Sequence, residues 1–346
     1  MANTLTLTGR GRDGIDFAGF QTILSEGLYS THGMGTELLG PEGTARFSAD
    51  AGTMEFRIDY TTIGGEIHAT GFTVTDDDGA TIRARFGDPE PLGFGSWSEP
   101  VGTLTDTLYD ALLGDTRIDF RGRNGDDSGL GSEFADRFRL GGGDDGAAGG
   151  AGDDLIRGGR GEDLINGGAD DDRLIGGRGN DLILTGSGDD RANGGAGNDV
   201  LVMGSGTNIT TGGQGNNVWI QDWINNVAGS DDPRTLIRDF GATDLLLFTG
   251  LPAAAGPVGA DVETLADLDN GTIDDFQWRE SGRGVQIQAG EGVVFLRGVA
   301  AEEIDIDQIL FSQQSQQDAV TLFDSGSGGG TLGRTLDGDA FITFGE

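Results

Sequence analysis

The stretch "GGAGDDLIRGGRGEDLINGG", Gly149 to Gly168, states nearly the same phrase twice, nine residues apart. Each phrase has a glycine pair, then acids, then two apolar residues. So much glycine rules out a helix, and so much acid rules out an ordinary strand. The phrase recurs well beyond this stretch. An Asp falls at Asp127, Asp136, Asp145, Asp154, Asp163, Asp172, Asp181, Asp190 and Asp199, and Asn208 and Asn217 continue the series. That makes eleven units of nine residues from Gly122 to Ile220, without insertion or deletion. Two positions before the Asp sits a Gly, as at Gly143, Gly161, Gly179 and Gly197. Two positions after it sits an apolar residue in most units: Phe138, Ile156, Ile165, Leu174, Ile183, Leu201 and Trp219. A fixed period over this many units predicts a solenoid.

The physics of one unit is short. Glycine accepts left-handed backbone angles, so the Gly-rich part turns sharply. The three residues after it extend, and the middle one points inward. A two-sided coil needs two turns and two strands, so one circuit takes 18 residues. Equivalent Asp residues then stack in two columns, about 4.8 Å apart. One column holds Asp127, Asp145, Asp163, Asp181, Asp199 and Asn217; the other holds Asp136, Asp154, Asp172, Asp190 and Asn208. Stacked carboxylates repel, so a bare coil is disfavoured. A hard divalent cation held by carboxylate and carbonyl oxygens removes the repulsion, and Ca²⁺ with about 6–8 oxygen ligands suits the chemistry. Several Ca²⁺ ions are expected, with folding coupled to their binding. Asn208 and Asn217 lack charge, so the last site of each column is expected to be weak or empty.

Composition agrees and narrows the field. The chain has 346 residues, with 58 acids against 22 basic residues and a net charge of −36. A surface this acidic is no partner for nucleic acid or anionic lipid. Its 66 glycines stand far above the usual share of about 7%. No cysteine is present, which removes disulfides and thiolate metal sites. All 22 basic residues are arginine, which removes lysine chemistry. The opening "MANTLTLTGRGRDG" has no charged leader followed by an apolar stretch, so no cleavable secretory signal is expected there. No apolar run approaches the ~20 residues of a membrane-spanning helix.

"GGAGDDLIR" and "GGRGNDLIL" resemble the nonapeptide of RTX, or haemolysin-type calcium-binding, proteins. The match weakens where Phe134 and Asp170 replace turn glycines, and where Gly129 and Ala147 offer little inward bulk. The resemblance implies a parallel β-roll with Ca²⁺ between successive turns of each column. It also implies export by type I secretion machinery to the outside of a Gram-negative cell, directed by an uncleaved C-terminal signal.

The expected fold class is all-β, a central calcium-binding roll between two flanking β regions. Residues 1–114 alternate at period two in "TARFSADAGTMEFRIDY" and "GEIHATGFTVTDDDGATIRARF", which predicts a small antiparallel β domain. "DDDG" reads as a hairpin turn, and "TDTLYDALLG" as a short helix. Residues 115–233 make the roll. Residues 234–311 carry "RTLIRDFGATDLLLF" and further strands, and are expected to cap it, because an open solenoid end is a bare sheet edge. Residues 312–346 are polar and Gly-rich, a flexible tail that would carry the secretion signal.

Catalytic motifs are missing. There is no H-E-x-x-H zinc motif and no G-x-S-x-G elbow. His32, in "STHGMG", and His68, in "GEIHATGF", read as structural. Paired acids for glycoside hydrolysis remain open. Three functions stand: a secreted structural or adhesive protein that self-assembles into a homopolymer (a surface layer, filament or matrix), a carbohydrate-active enzyme using the N-terminal region, and a module binding surface polysaccharide. The absent motifs favour the first.

Overall fold

The computed structural model describes residues 116–222, 234–249 and 276–311 except Glu291, together with strands within 3–10, 42–49, 54–91 and 330–344. The chain divides into two compact units, Met1–Leu164 and Ile165–Glu346. It is nearly all β, with a parallel β-solenoid of about six turns over residues 119–221.

In the first unit the coil alternates between two sheets. Strands Thr116–Arg121, Arg137–Arg139 and Leu155–Arg160 lie in sheet A; Ser128–Leu130 and Gly146–Ala151 lie in sheet B. Pairing is parallel with an offset of 18, as in Phe120 against Phe138 and Phe138 against Ile156. Most strands run six residues rather than three, because the first glycines of the next unit stay in the ladder before the corner. The inward residues are fully buried, Phe120, Phe138 and Ile156 among them. Gly129, which has no bulk of its own, lies under the Phe138 and Phe120 rings, whose centroids are 5.7 Å apart. The large neighbours fill the gap that the small residue leaves.

An antiparallel sheet precedes the coil. Glu42–Ala49, Met54–Ile63, Glu66–Asp76, Thr81–Pro91 and Asn3–Arg10 pair in that order. Asn3–Arg10 then pairs in parallel with Thr116–Arg121 and covers the first edge of sheet A. His68 stands in this sheet opposite Thr61. The "DDDG" turn beyond Asp76, the expected helix in "TDTLYDALLG" and His32 lie outside the described residues.

In the second unit sheet A continues through Arg173–Arg178, Arg191–Ala196 and Thr207–Gln214, and sheet B through Leu182–Ser187, Val200–Met203 and Val218–Asp222. Residues 234–311, expected to cap the roll, begin with two strands that pair in parallel with it. Arg234–Ile237 pairs in parallel with Thr207–Gln214, and Leu245–Thr249 with Val218–Asp222. The antiparallel part is the meander Phe276–Ser281, Gly284–Ala289 and Gly292–Arg297, which closes sheet A. Ile309–Phe311 closes sheet B. Sheet B is apolar on both faces here. Leu201, Trp219 and Leu246 point inward, while Val202, Ile220, Leu247 and Leu310 form a second buried cluster on the other side. Burial on both faces is the usual condition of parallel sheets. In the expected tail, Gly330–Arg334 and Ala340–Phe344 pair as a hairpin.

Candidate metal centre

All nine predicted Asp residues are buried, none more than 3% exposed. Within each unit they are linked at the predicted offset of 18 residues. In the first unit the Asp127 N–H donates to Asp145 Oδ1 at 2.7 Å, and the Asp145 N–H to Asp163 Oδ1 at 3.1 Å. In the other column the Ile118 N–H donates to Asp136 Oδ1, and the Asp136 N–H to Asp154 Oδ1, both at 2.7 Å. The second unit repeats this with Asp172 donating to Asp190 and Asp181 to Asp199, both at 2.9 Å. One oxygen of each of these carboxylates is thus engaged by the backbone one circuit earlier.

The other oxygen defines the site. Oδ2 of Asp145 and of Asp199 is buried and has no hydrogen-bond partner. The surroundings of the Asp199 oxygen show why a glycine precedes it by five residues. A Cβ built on Gly194 would fall onto Asp199 Oδ2 and lie 2.6 Å from the Gly212 carbonyl oxygen. Gly122 stands in the same relation to Asp127 Oδ2 and the Leu140 carbonyl, and Gly131 to Asp136 Oδ2 and the Gly149 carbonyl. The slot therefore joins a carboxylate oxygen to a carbonyl oxygen from the next circuit, on a glycine floor. At Asp127 and Asp136 the Oδ2 also accepts a backbone N–H, from Arg123 and Ser132 respectively, whereas at Asp199 no donor reaches it. Burying that carboxylate oxygen beside a carbonyl oxygen is costly, and a hard cation is the group that satisfies both. Among the described residues no three acidic or histidine side chains converge. An ion held here would take the rest of its oxygens from backbone carbonyls and water.

Burial pushes the Asp163 carboxyl up to about 7, and those of Asp145, Asp190 and Asp199 to about 6. Coulombic repulsion from Asp145 and Asp144 adds to the rise at Asp163. Asp136 is also raised, again chiefly by burial. Burial disfavours the charged form, and a nearby cation would reverse this.

At the C-terminal ends of the columns the chemistry changes as the sequence suggests. Asn208 Oδ1 accepts the Asp190 N–H at 3.2 Å, as an Asp would, while its Nδ2 donates to the Gly204 carbonyl at 3.2 Å. Asn217 Oδ1 likewise accepts the Asp199 N–H at 3.0 Å. An amide keeps the ladder while its N–H₂ occupies the place of the second oxygen. One column member escaped the sequence reading. Asp244 Oδ1 accepts the Asn217 N–H at 2.8 Å, and its Oδ2 accepts the Gly241 N–H at 2.7 Å. The spacing from Asn217 is 27 rather than 18, so the period hides it. The one signal is "GATDLLL", an Asp after a turn glycine and before an apolar run.

A second ladder runs outside the first. Asp126 Oδ1 accepts the Asp144 N–H at 2.9 Å, and Asp144 Oδ1 accepts the Glu162 N–H at 2.8 Å. In the second unit Asn180 and Asn198 form the same links to Asn198 and Asn216. The inner ladder reaches back one circuit and the outer ladder reaches forward. Each turn is thereby tied in both directions.

A family model described as the RTX calcium-binding nonapeptide repeat (4 copies) matches residues 121–156, 148–183 and 184–218. No curated protein matches the chain. Among solved structures, the extracellular lipase LipA from Serratia marcescens is similar at 16% identity and a TM-score of 0.23, over 60% of this chain and 48% of the lipase chain. The chain spans about half the length of that lipase. Residues 121–218, with their period, buried Asp columns and glycine-floored slots, are RTX calcium-binding nonapeptide repeats.

Proposed function

We propose that this is an exported structural protein whose roll orders on Ca²⁺ outside the cell and then assembles with further copies. The observation that carries the reading is the buried, partnerless Oδ2 of Asp145 and Asp199 within matched RTX repeats. Asp127, Asp136, Asp145, Asp154, Asp163, Asp172, Asp181, Asp190 and Asp199 supply the carboxylate ligands in this reading. Ca²⁺ supplies positive charge and oxygen coordination. The chain supplies the carbonyls, the glycine floors and a ladder that templates each rung on the last. Without the ion, net charge of −36 and the stacked acids keep the chain expanded. Low calcium inside a cell then favours an exportable chain, and higher calcium outside favours the roll. RTX relatives are typically exported from Gram-negative bacteria, which supports this route and location. Electron microscopy and light scattering of purified protein test the assembly step. Ordered polymers are expected at millimolar Ca²⁺ and single chains in chelator. Single chains in both would overturn it.

A second reading, a glycan-binding module, has one observation behind it. In the second unit an open cleft of about 570 Å³ is lined by Arg234, Gln286, Gln288 and Phe295. Amides and a guanidinium beside an aromatic ring suit a sugar. A soluble monomer retained by polysaccharide would favour this reading.

A further inference from the structure

The two faces of the coil differ in charge. Between residues 116 and 164 there are seven arginines, and six of them stand on sheet A strands: Arg117, Arg121, Arg137, Arg139, Arg157 and Arg160. The sheet B strands Ser128–Leu130 and Gly146–Ala151 carry none. Arg121, Arg139 and Arg157 are direct neighbours on adjacent strands. Like charges placed side by side at about 4.8 Å destabilise a sheet. Asp119 relieves part of this, with Arg121 at 2.6 Å and Arg139 at 3.1 Å. Arg137, Arg157 and Arg160 are exposed and have no ion pair among the described residues. A chain with an excess of acid thus gathers its scarce cations on one sheet, and in the row Arg121, Arg139, Arg157 three guanidinium groups share the single carboxylate of Asp119 at one end.

The turn edge of the same unit carries the opposite charge at the same period. Asp126, Asp144 and Glu162 stand one per circuit, exposed, and the outer ladder holds them in line. Both rows take their spacing from the 18-residue coil, so they match in step by construction. We propose that the row Arg121, Arg139, Arg157 is the docking surface for the row Asp126, Asp144, Glu162 of a second copy. The proposal rests on the assembly reading above and names its contact. The two patches lie on different faces of one chain, so the contact is heterologous and leaves each docked copy with a free row for the next. The second unit has neither row: the strand position of Arg121, Arg139 and Arg157 holds Ile175 and Asn193 there, and the ladder position of Asp126, Asp144 and Glu162 holds Asn180 and Asn198, so the docking surface is confined to the first unit.

The test uses the full chain in saturating Ca²⁺, followed by light scattering. One variant is Arg139→Glu with Arg157→Glu; the other is Asp144→Arg with Glu162→Arg. Circular dichroism against calcium shows that each still orders. Each variant alone is expected to need about tenfold more protein than wild type before scattering begins. An equal mixture of the two restores scattering, because each reversed row meets a reversed partner. A wild-type chain that assembles while the arginine variant assembles equally overturns the docking and leaves the assembly reading standing. Variants that each lose assembly and regain none on mixing also overturn it. A wild-type chain that stays monomeric overturns the assembly reading itself. A monomer retained on alginate beads, with retention lost in the arginine variant, assigns the row to an acidic polysaccharide instead.

Discussion

The glycines of one repeat serve two purposes. In Gly194-Gly195-Ala196-Gly197, Gly195 and Gly197 adopt φ of 120° and 146°, which side chains with a Cβ avoid. Gly194 has no such angle; it is glycine because the Asp199 carboxylate occupies the place of its Cβ. Asp170 makes the complementary point. Among the described residues it is the one non-glycine at positive φ, 73°, where a short polar side chain tolerates the left-handed region. Two substitutions separate these roles from plain glycine content. Gly194→Ala should displace the carboxylate, destabilise the calcium-loaded roll by about 1–3 kcal/mol and raise its calcium midpoint. Gly146→Ala, whose Cβ would meet nothing within 4 Å, should be neutral or stabilising by up to about 1 kcal/mol. Urea melts in saturating calcium read both. A Gly194→Ala roll as stable as wild type would remove the glycine-floored slot from the account.

At the scale of the element, each column is a line of acids held by backbone N–H groups and opposed by burial. Folding the columns without metal raises the carboxyls of Asp145, Asp163, Asp190 and Asp199 from an ordinary 3.8 to about 6 or 7. A raised acid binds more protons in the folded than in the unfolded chain between those values. The metal-free roll therefore loses stability as pH rises from about 4 to 7. With calcium the sign reverses, since protons compete for the same oxygens below about pH 6–7. Circular dichroism in chelator should show more β-structure at pH 5 than at pH 8, while in limiting calcium the order is opposite. The same pH order in chelator and in calcium would show that the columns do not bind the ion. The apolar stack beneath is less sensitive. Trp219 is fully buried, and its indole N–H donates to Thr210 Oγ1 at 2.9 Å, so even an inward hydroxyl is satisfied.

For the whole molecule the unequal charge sets the order of events. Fifty-eight acids on one chain favour an extended form until cations arrive. The antiparallel sheet over residues 3–91 then covers one edge of sheet A, and the meander over residues 276–297 covers another. In the proposed function export precedes all of these. Deleting Ser312–Glu346 should leave the chain inside a cell that exports the full protein. The readout is the fraction found in the medium by immunoblot, expected to fall at least about tenfold. Undiminished export of the truncated chain would place the signal elsewhere.

The period alone determined much of this protein. It was enough to assign the roll, the 18-residue circuit, the two Asp columns, the inward positions and the change at Asn208 and Asn217, because a strict repeat turns sequence spacing into spatial spacing. Tertiary structure decided what no period encodes. Asp244 joins a column across a spacing of 27, and strands at Arg234 and Leu245, in the region expected to cap the roll, pair in parallel with its last strands. A coil accepts an insertion at a turn and resumes its register afterwards, since register is set by the neighbouring circuit and not by the count of residues between. The outer ladder and the arginine row were equally hidden. Each depends on which face a residue takes in its rung, and only the folded coil brings residues 18 apart into line.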